Sequence, residues 1–230
     1  MVGENLDTIR SRIESSCRKC GRNPDDITLV AVSKTFGVEK IAEAISAGQR
    51  DFGENYVQEL EEKHSAVGRD DVRWHFIGHL QSNKVKYVAP YIHLIHSVDS
   101  AGLIEEIDRR AEKAGRVVDY LVEVHTTDEA TKFGAKPSEV ADLVLKGSGM
   151  KHSRVIGLMT MGPFSDDPGD SRPSFKLVAE LRREIECRKI PGVRLNHLSM
   201  GMTHDFEVAI EEGATLLRIG TAIFGKRQTV

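Results

Sequence analysis

The apolar positions along the chain follow two alternating rhythms. Short apolar runs suited to strands occur at 27–33, 50–53, 73–78, 92–96, 117–125, 154–159, 193–199 and 215–219. Between them, apolar residues recur every three to four positions, the helical period, at about 38–48, 54–64, 82–89, 100–114, 137–146, 171–188 and 204–212. A further helix is expected at about 4–20, where Leu6, Ile9, Ile13 and Cys17 share one face before Gly21, Asn23 and Pro24 end it. Ser100 stands before "AGLIEEIDRRAEKAG" as an N-cap candidate, with Glu105 and Glu106 in the first turns. Gly48, Gly115 and Gly213 follow helical patterns as C-cap candidates.

Strands that alternate with helices pair in parallel through helical crossovers. Eight such units predict an α/β fold, a single (β/α)8 TIM-type barrel with an extra N-terminal helix, for which ~250 residues is typical. A doubly wound open sheet is the competing arrangement. The eightfold count and the absence of a composition break favour the barrel. One domain is expected over 1–230, with the barrel at about 27–226. The segment "GPFSDDPGDSRPS", 162–174, is rich in Pro, Gly, Ser and Asp and reads as a mobile surface turn.

Composition changes this picture little. The 230 residues carry a net charge of −3 and no basic stripe, which argues against nucleic-acid binding. No apolar run approaches the ~20 residues of a membrane helix, and the N-terminus has no secretory apolar region. Cys17 and Cys20 form "CRKC", but Cys187 is the only other cysteine. A zinc site would need two more ligands at suitable spacing. Ordinary thiols in a reducing, cytoplasmic setting are expected.

In a (β/α)8 barrel the site is built from residues at the C-terminal ends of the strands. Those positions read Ser33-Lys34-Thr35, Gly53-Glu54-Asn55, Gly78-His79-Leu80-Gln81, Ser97-Val98-Asp99, His125-Thr126-Thr127, Met159-Thr160-Met161, Ser199-Met200-Gly201 and Arg218-Ile219-Gly220-Thr221. Polar residues and glycines gather at one end of nearly every strand. Lys34 closes the apolar run "LVAVSK". It is either a solvated strand cap or an amine nucleophile, since a lysine whose charge is disfavoured by burial becomes reactive toward carbonyls.

"SMGMTHD" (199–205) and "RIGTAIFG" (218–225) follow the last two strands, where such barrels often hold a phosphate. Ser199 and Thr221 bring hydroxyls, and Gly201 and Gly220 allow close backbone approach to an anion. Two tight turns are the plainer alternative. Neither segment is a Walker loop or a GxGxxG fingerprint. Arg218 ends the apolar "TLLRIG" and needs a partner, a carboxylate or an acceptor on a ligand. His75 reads as a packed strand histidine rather than a metal ligand, because metal sites need convergent partners. His79 lies past the turn, closer to any pocket.

Taken together, "LVAVSKT", "DFGENYVQE", "WHFIGHLQSNK", "IHSVDS", "GLMTMGP", "LSMGMTHDFEVAIEEGAT" and "RIGTAIFG" resemble the pyridoxal-phosphate homeostasis protein family. That family is related to the N-terminal barrel domain of alanine racemase. The resemblance runs from about residue 5 to 226. It implies a barrel that carries pyridoxal 5′-phosphate (PLP), with Lys34 holding it as an aldimine. It further implies Ser199, Gly201 and Thr221, with backbone at Met200 and Gly220, around the phosphate. Arg218 would face the pyridine nitrogen and Asn55 would lie beside the ring. Thr203 stands where many relatives carry serine, and the hydroxyl is retained.

Two functions are compatible with that resemblance. The first is a PLP-binding protein in vitamin B6 homeostasis, with PLP-dependent apoenzymes or amino acids as partners, no enzymatic turnover, and a monomeric or weakly dimeric state. The second is an amino-acid racemase of the alanine racemase type, which needs a base on each face of the substrate α-carbon. The second base of alanine racemases is a tyrosine on a separate C-terminal domain. Here the chain ends at Val230, soon after the eighth strand, and Tyr56, Tyr87, Tyr91 and Tyr120 occupy no assignable opposite face. The binding function is therefore the expectation.

Overall fold

The computed structural model of the protein describes residues 1–127 and 133–225. Among the described residues, eight strands close into a barrel in chain order. They are β1 (Thr28–Val32), β2 (Asp51–Glu54), β3 (Arg73–Phe76), β4 (Leu94–Val98), β5 (Val118–Glu123), β6 (Ser153–Met159), β7 (His197–Ser199) and β8 (Leu216–Ile219). Every neighbouring pair is parallel, and β8 returns to β1 with Ala31 opposite Ile219. The open-sheet alternative is thereby excluded. The crossover helices are α2 (Val38–Ser46), α3 (Val57–Val67), α4 (Val85–Val88), α5 (Ala101–Lys113), α6 (Val140–Ser148), α7 (Arg172–Cys187) and α8 (Phe206–Glu211). The expected barrel end at residue 226, in the last stretch of the chain, lies outside the described residues.

The N-terminal helix α1 (Val2–Cys20) buries Val2, Leu6, Ile9, Ile13 and Cys17 on one face, and Gly21 closes it at φ +70°. It packs on α2, α8 and a short last helix, α9 (Thr221–Phe224). Asn5 Nδ2 donates to the Ile223 carbonyl at 2.8 Å and Arg22 Nη1 to the Ile210 carbonyl at 2.7 Å, so both contacts satisfy carbonyls near helix C-termini. Among the described residues no helix is long and apolar enough to cross a membrane.

Strand alternation divides the core into two. Outward residues such as Ala31, Phe52, Trp74, Ile95, Leu198 and Leu217 join the helices in the main apolar layer. Inside the barrel lies a small apolar cluster of Val30, Leu94, Leu121, Met159 and Leu216. The interior also holds polar groups: Asp51, His75, His96, Ser199 and Arg218 are all buried and point inward.

Three expectations shift. β7 is shorter than 193–199, because Pro191 and Gly192 form a turn that keeps 193–196 out of the ladder. Its seam to β8 is completed past the strand by Met200 N–H to Leu216 O (3.2 Å) and Arg218 N–H to Gly201 O (3.0 Å). Ser100 occupies the N-cap of α5, but its side chain makes no cap hydrogen bond. The 162–174 segment is exposed at Phe164, yet it ends in a 3-10 turn (Pro168–Ser171) whose buried Ser171 donates to Asp205 Oδ2 at 2.7 Å.

Candidate cofactor site

Lys34 follows β1 in a turn and is half-buried. Val30 faces the barrel interior and Ala31 the outer layer, so a strand continued past Val32 would turn Lys34 inward, while Ser33 is bonded to Lys63 on α3. Ser33 is buried and fixed on three atoms. Its N–H donates to Gly53 O at 3.1 Å, its Oγ donates to Glu54 Oε1 at 2.6 Å, and its carbonyl accepts from Lys63 Nζ at 2.7 Å. On the other flank Thr35 takes φ +70°, a left-handed conformation costly for a β-branched residue. Its N–H donates to Glu59 Oε1 at 2.5 Å. Lys63 Nζ also contacts Glu54 Oε1 and Glu59 Oε1, each at 2.7 Å. The i,i+4 spacing of Glu59 and Lys63 on α3 brings both to one face. Burial pushes the Glu54 carboxyl up from its ordinary range, while Lys63 and Ser33 pull the other way.

The loops after β7 and β8 reach the same rim, next to β1. Gly201 has φ +91°, and a Cβ there would lie 2.6 Å from Ala209 Cβ and 3.0 Å from Phe206 Cα. Only glycine allows both the backbone conformation and this approach of α8. Gly220 packs its backbone on Val32, and Thr221 begins α9. Among the described residues the N–H groups of Gly201, Gly220 and Thr221 meet no protein acceptor. Met200 is different: its side chain is in the outer core and its N–H is engaged by Leu216 O. Asn55 follows β2 on the same rim. Its Oδ1 is buried without a hydrogen-bond partner among the described residues, as is Thr127 Oγ1 after β5.

Beneath the rim a chain of buried groups runs through the barrel. Arg218 Nη1 donates to Ser199 Oγ at 2.5 Å, and Arg218 Nη2 to the Thr160 carbonyl at 2.9 Å. Ser199 Oγ lies 2.8 Å from His96 Nδ1, His96 Nε2 lies 2.9 Å from His75 Nδ1, and His75 Nε2 lies 3.0 Å from Asp51 Oδ1. With one proton on each imidazole, the Asp51 end fixes its direction. Asp51 only accepts, because Arg73 and His75 outweigh its burial and hold its pKa at about 2. Burial keeps His96 neutral, its pKa well below the ordinary value. Ser199 therefore donates to His96, His96 Nε2–H to His75, and His75 Nε2–H to Asp51.

Glu123, at the end of β5, is a further buried acid. Its burial raises its pKa to about 7, with Arg218 opposing. Complete burial lowers the Arg218 pKa to about 10.

The structure thus gathers Lys34, Asn55, Gly201, Arg218, Gly220 and Thr221 on strands β7, β8, β1 and β2, contiguous around the barrel. Phosphate contacts from Ser199 Oγ or Met200 N–H would compete with their existing bonds. Arg218 pairs with a hydroxyl and a carbonyl rather than directly with a carboxylate. His75 is packed, as expected, but as a link in the chain. His79 stacks on Phe133 at 3.8 Å. Tyr120 is fully buried, Tyr91 half-buried, and Tyr87 lies on α4. Tyr56, beside Asn55, stands exposed at the rim.

Residues 5–228 match the family model for the N-terminal domain of alanine racemase. The chain is 44% identical to the pyridoxal phosphate homeostasis protein of Aquifex aeolicus, over 98% of both chains. It is similar to PipY of Synechococcus elongatus solved with PLP bound, with a TM-score of 0.86 and 33% identity over 98% of this chain and 100% of that one. An alanine racemase of Clostridium difficile shares the fold alone, at a TM-score of 0.77 and 12% identity, over 98% of this chain and 58% of that chain. The barrel, the matched family model and these full-length relatives establish that the chain belongs to the pyridoxal phosphate homeostasis protein family, within the alanine racemase N-terminal domain group.

Proposed function

We propose that the protein binds PLP covalently at Lys34, as a Schiff base, and serves intracellular PLP homeostasis by carrying and releasing the cofactor rather than by turning over a substrate. The observation that carries this reading is the placement of Lys34. Its two neighbours are pinned by Lys63, Glu54 and Glu59, and it shares a rim with three uncommitted N–H groups. PLP brings an aldehyde for an amine, a dianionic phosphate and a ring able to accept electron density.

The residues present fit that group. Gly201, Gly220 and Thr221 offer N–H donors, and Thr221 a hydroxyl, for a phosphate. The buried, unpartnered Asn55 Oδ1 suits a donor on the ligand. Ser199 and Met200 enter this assignment as supports, Ser199 by orienting Arg218 and Met200 by anchoring the loop in the outer core. Arg218, still charged at neutral pH and able only to donate, would leave a facing ring nitrogen as an acceptor. That arrangement weakens the electron sink which racemisation draws on. The free thiols Cys17, Cys20 and Cys187 suit a reducing cytoplasm, and PLP-dependent apoenzymes are the recipients we assign.

The test is incubation of the PLP-loaded protein with L- or D-alanine in deuterated water. Carriage predicts no chiral inversion and a measurable transfer of PLP to an apoenzyme. Rapid α-deuteration with inversion would replace this reading with a racemase.

A further inference from the structure

The opposite, N-terminal mouth of the barrel holds a cavity of about 260 Å³ lined by Asp51, Arg73, His75, His93 and His197, among others. We propose that this mouth is a binding site for a divalent transition metal of the zinc class, with Asp51, His75 and His93 as protein ligands and water completing the shell. One ligand atom from each lies within 4.8 Å of the other two. Two imidazoles and one carboxylate with an open side form a donor set used by Zn2+ and Fe2+.

The geometry around these atoms supports coordination. His75 Nε2 and Asp51 Oδ1 are 3.0 Å apart, close to the about 3.3 Å that two ligands of one tetrahedral zinc span. The His93 ring lies edge-on to His75, with centroids 5.2 Å apart, and its nitrogens bond to no protein group among the described residues. The two buried ligands are already oriented, as ligands of metal sites usually are. Arg73 grips both Asp51 oxygens, Nε on Oδ1 at 2.7 Å and Nη2 on Oδ2 at 2.5 Å, so the metal shares Oδ1 with Arg73, and His96 holds His75 Nδ1 at 2.9 Å. The Arg73 guanidinium also repels a dication, so micromolar rather than nanomolar affinity is expected.

Coordination has a consequence along the buried chain. The ion sheds water and takes the His75 Nε2 lone pair, so the Nε2 proton leaves to water at the mouth and the bond from His75 to Asp51 is broken. His75 takes a proton on Nδ1 from His96, His96 takes one on Nδ1 from Ser199, and Ser199 is reprotonated from solvent while its oxygen still accepts from Arg218. One proton is released and one taken up. The remaining bonds reverse their direction, so the mouth communicates with the rim. This inference does not rest on PLP binding.

The test titrates Zn2+ into the full chain, with and without PLP, by equilibrium dialysis with metal analysis. The site predicts one Zn2+ per chain in both states, no competition from millimolar Mg2+, and at least about tenfold weaker uptake in His93→Ala. His93 is exposed, so this variant keeps the fold. Two-bond 1H–15N spectra of the imidazoles provide the second readout. His75 and His96 should be Nε2-protonated without metal and Nδ1-protonated at saturating Zn2+. Absence of stoichiometric uptake, uptake undiminished in His93→Ala, equal competition by Mg2+, or unchanged tautomers at saturation would each overturn the proposal.

Discussion

Lys63 Nζ donates to the backbone carbonyl oxygen of Ser33 at 2.7 Å, on the residue immediately before Lys34. The same ammonium neutralises Glu54, which is fully buried. Lys63→Met would strand that carboxylate and release the Ser33 carbonyl. Removing one partner of a buried pair costs about 3–5 kcal/mol. Because burial already raises the Glu54 pKa, the stranded acid escapes part of this cost by protonation. Urea melts should therefore show the full loss at pH 8 and a smaller one at pH 5. A loss equal at both pH values would contradict this account of the pair.

Glu123 makes stability fall as pH rises. Its folded pKa is about 7, above the ordinary 4.5, so the folded state binds the proton more tightly. Its contribution is fully present below about pH 4.5 and is lost as pH climbs through about 7. The shift corresponds to about 3 kcal/mol over that window. Glu123→Gln should remove the contribution. The difference between wild type and variant in urea melts should slope between pH 5 and 7 and flatten by pH 8. A pH-independent difference would show that Glu123 titrates normally.

Gly201 supplies both a positive φ and a close approach. Gly201→Ala brings a methyl group to 2.6 Å from Ala209 Cβ and costs about 3 kcal/mol from strain and overpacking together. Gly192→Ala is the control. It has φ +77° but open space around the added carbon, so about 1 kcal/mol is expected. Thermal melts should separate the two. In Gly201→Ala, PLP should also dissociate faster, which stopped-flow transfer to an apoenzyme measures.

The architecture was legible because parallel strands buried on both faces read as plain apolar runs, and helices between them keep their own period. Lys34 stood out because a charge closed such a run. Lys63 did not, since it lies in "ELEEKH", which reads as a solvated acidic helix face. Its burial depends on Glu54 at the end of a strand nine residues earlier in sequence. The His75–His96 contact was equally hidden. It needs the β3–β4 register, His75 opposite Leu94, to bring two histidines 21 residues apart together. Glu123 sits within the apolar 117–125 run, where its inward parity gives no signal. The role expected of Ser199 followed its neighbours in "SMGMTHD", while its inward parity directs the hydroxyl into the barrel.

The central claim is that Lys34 is the residue that carries PLP. The purified protein is incubated with PLP, reduced with borohydride, digested, and mapped by mass spectrometry. The account predicts a reduced pyridoxyl group on the peptide containing Lys34, and loss of both that label and the visible imine absorbance in Lys34→Ala. A label on another lysine in the wild type, or covalent cofactor retained by repurified Lys34→Ala, would contradict it.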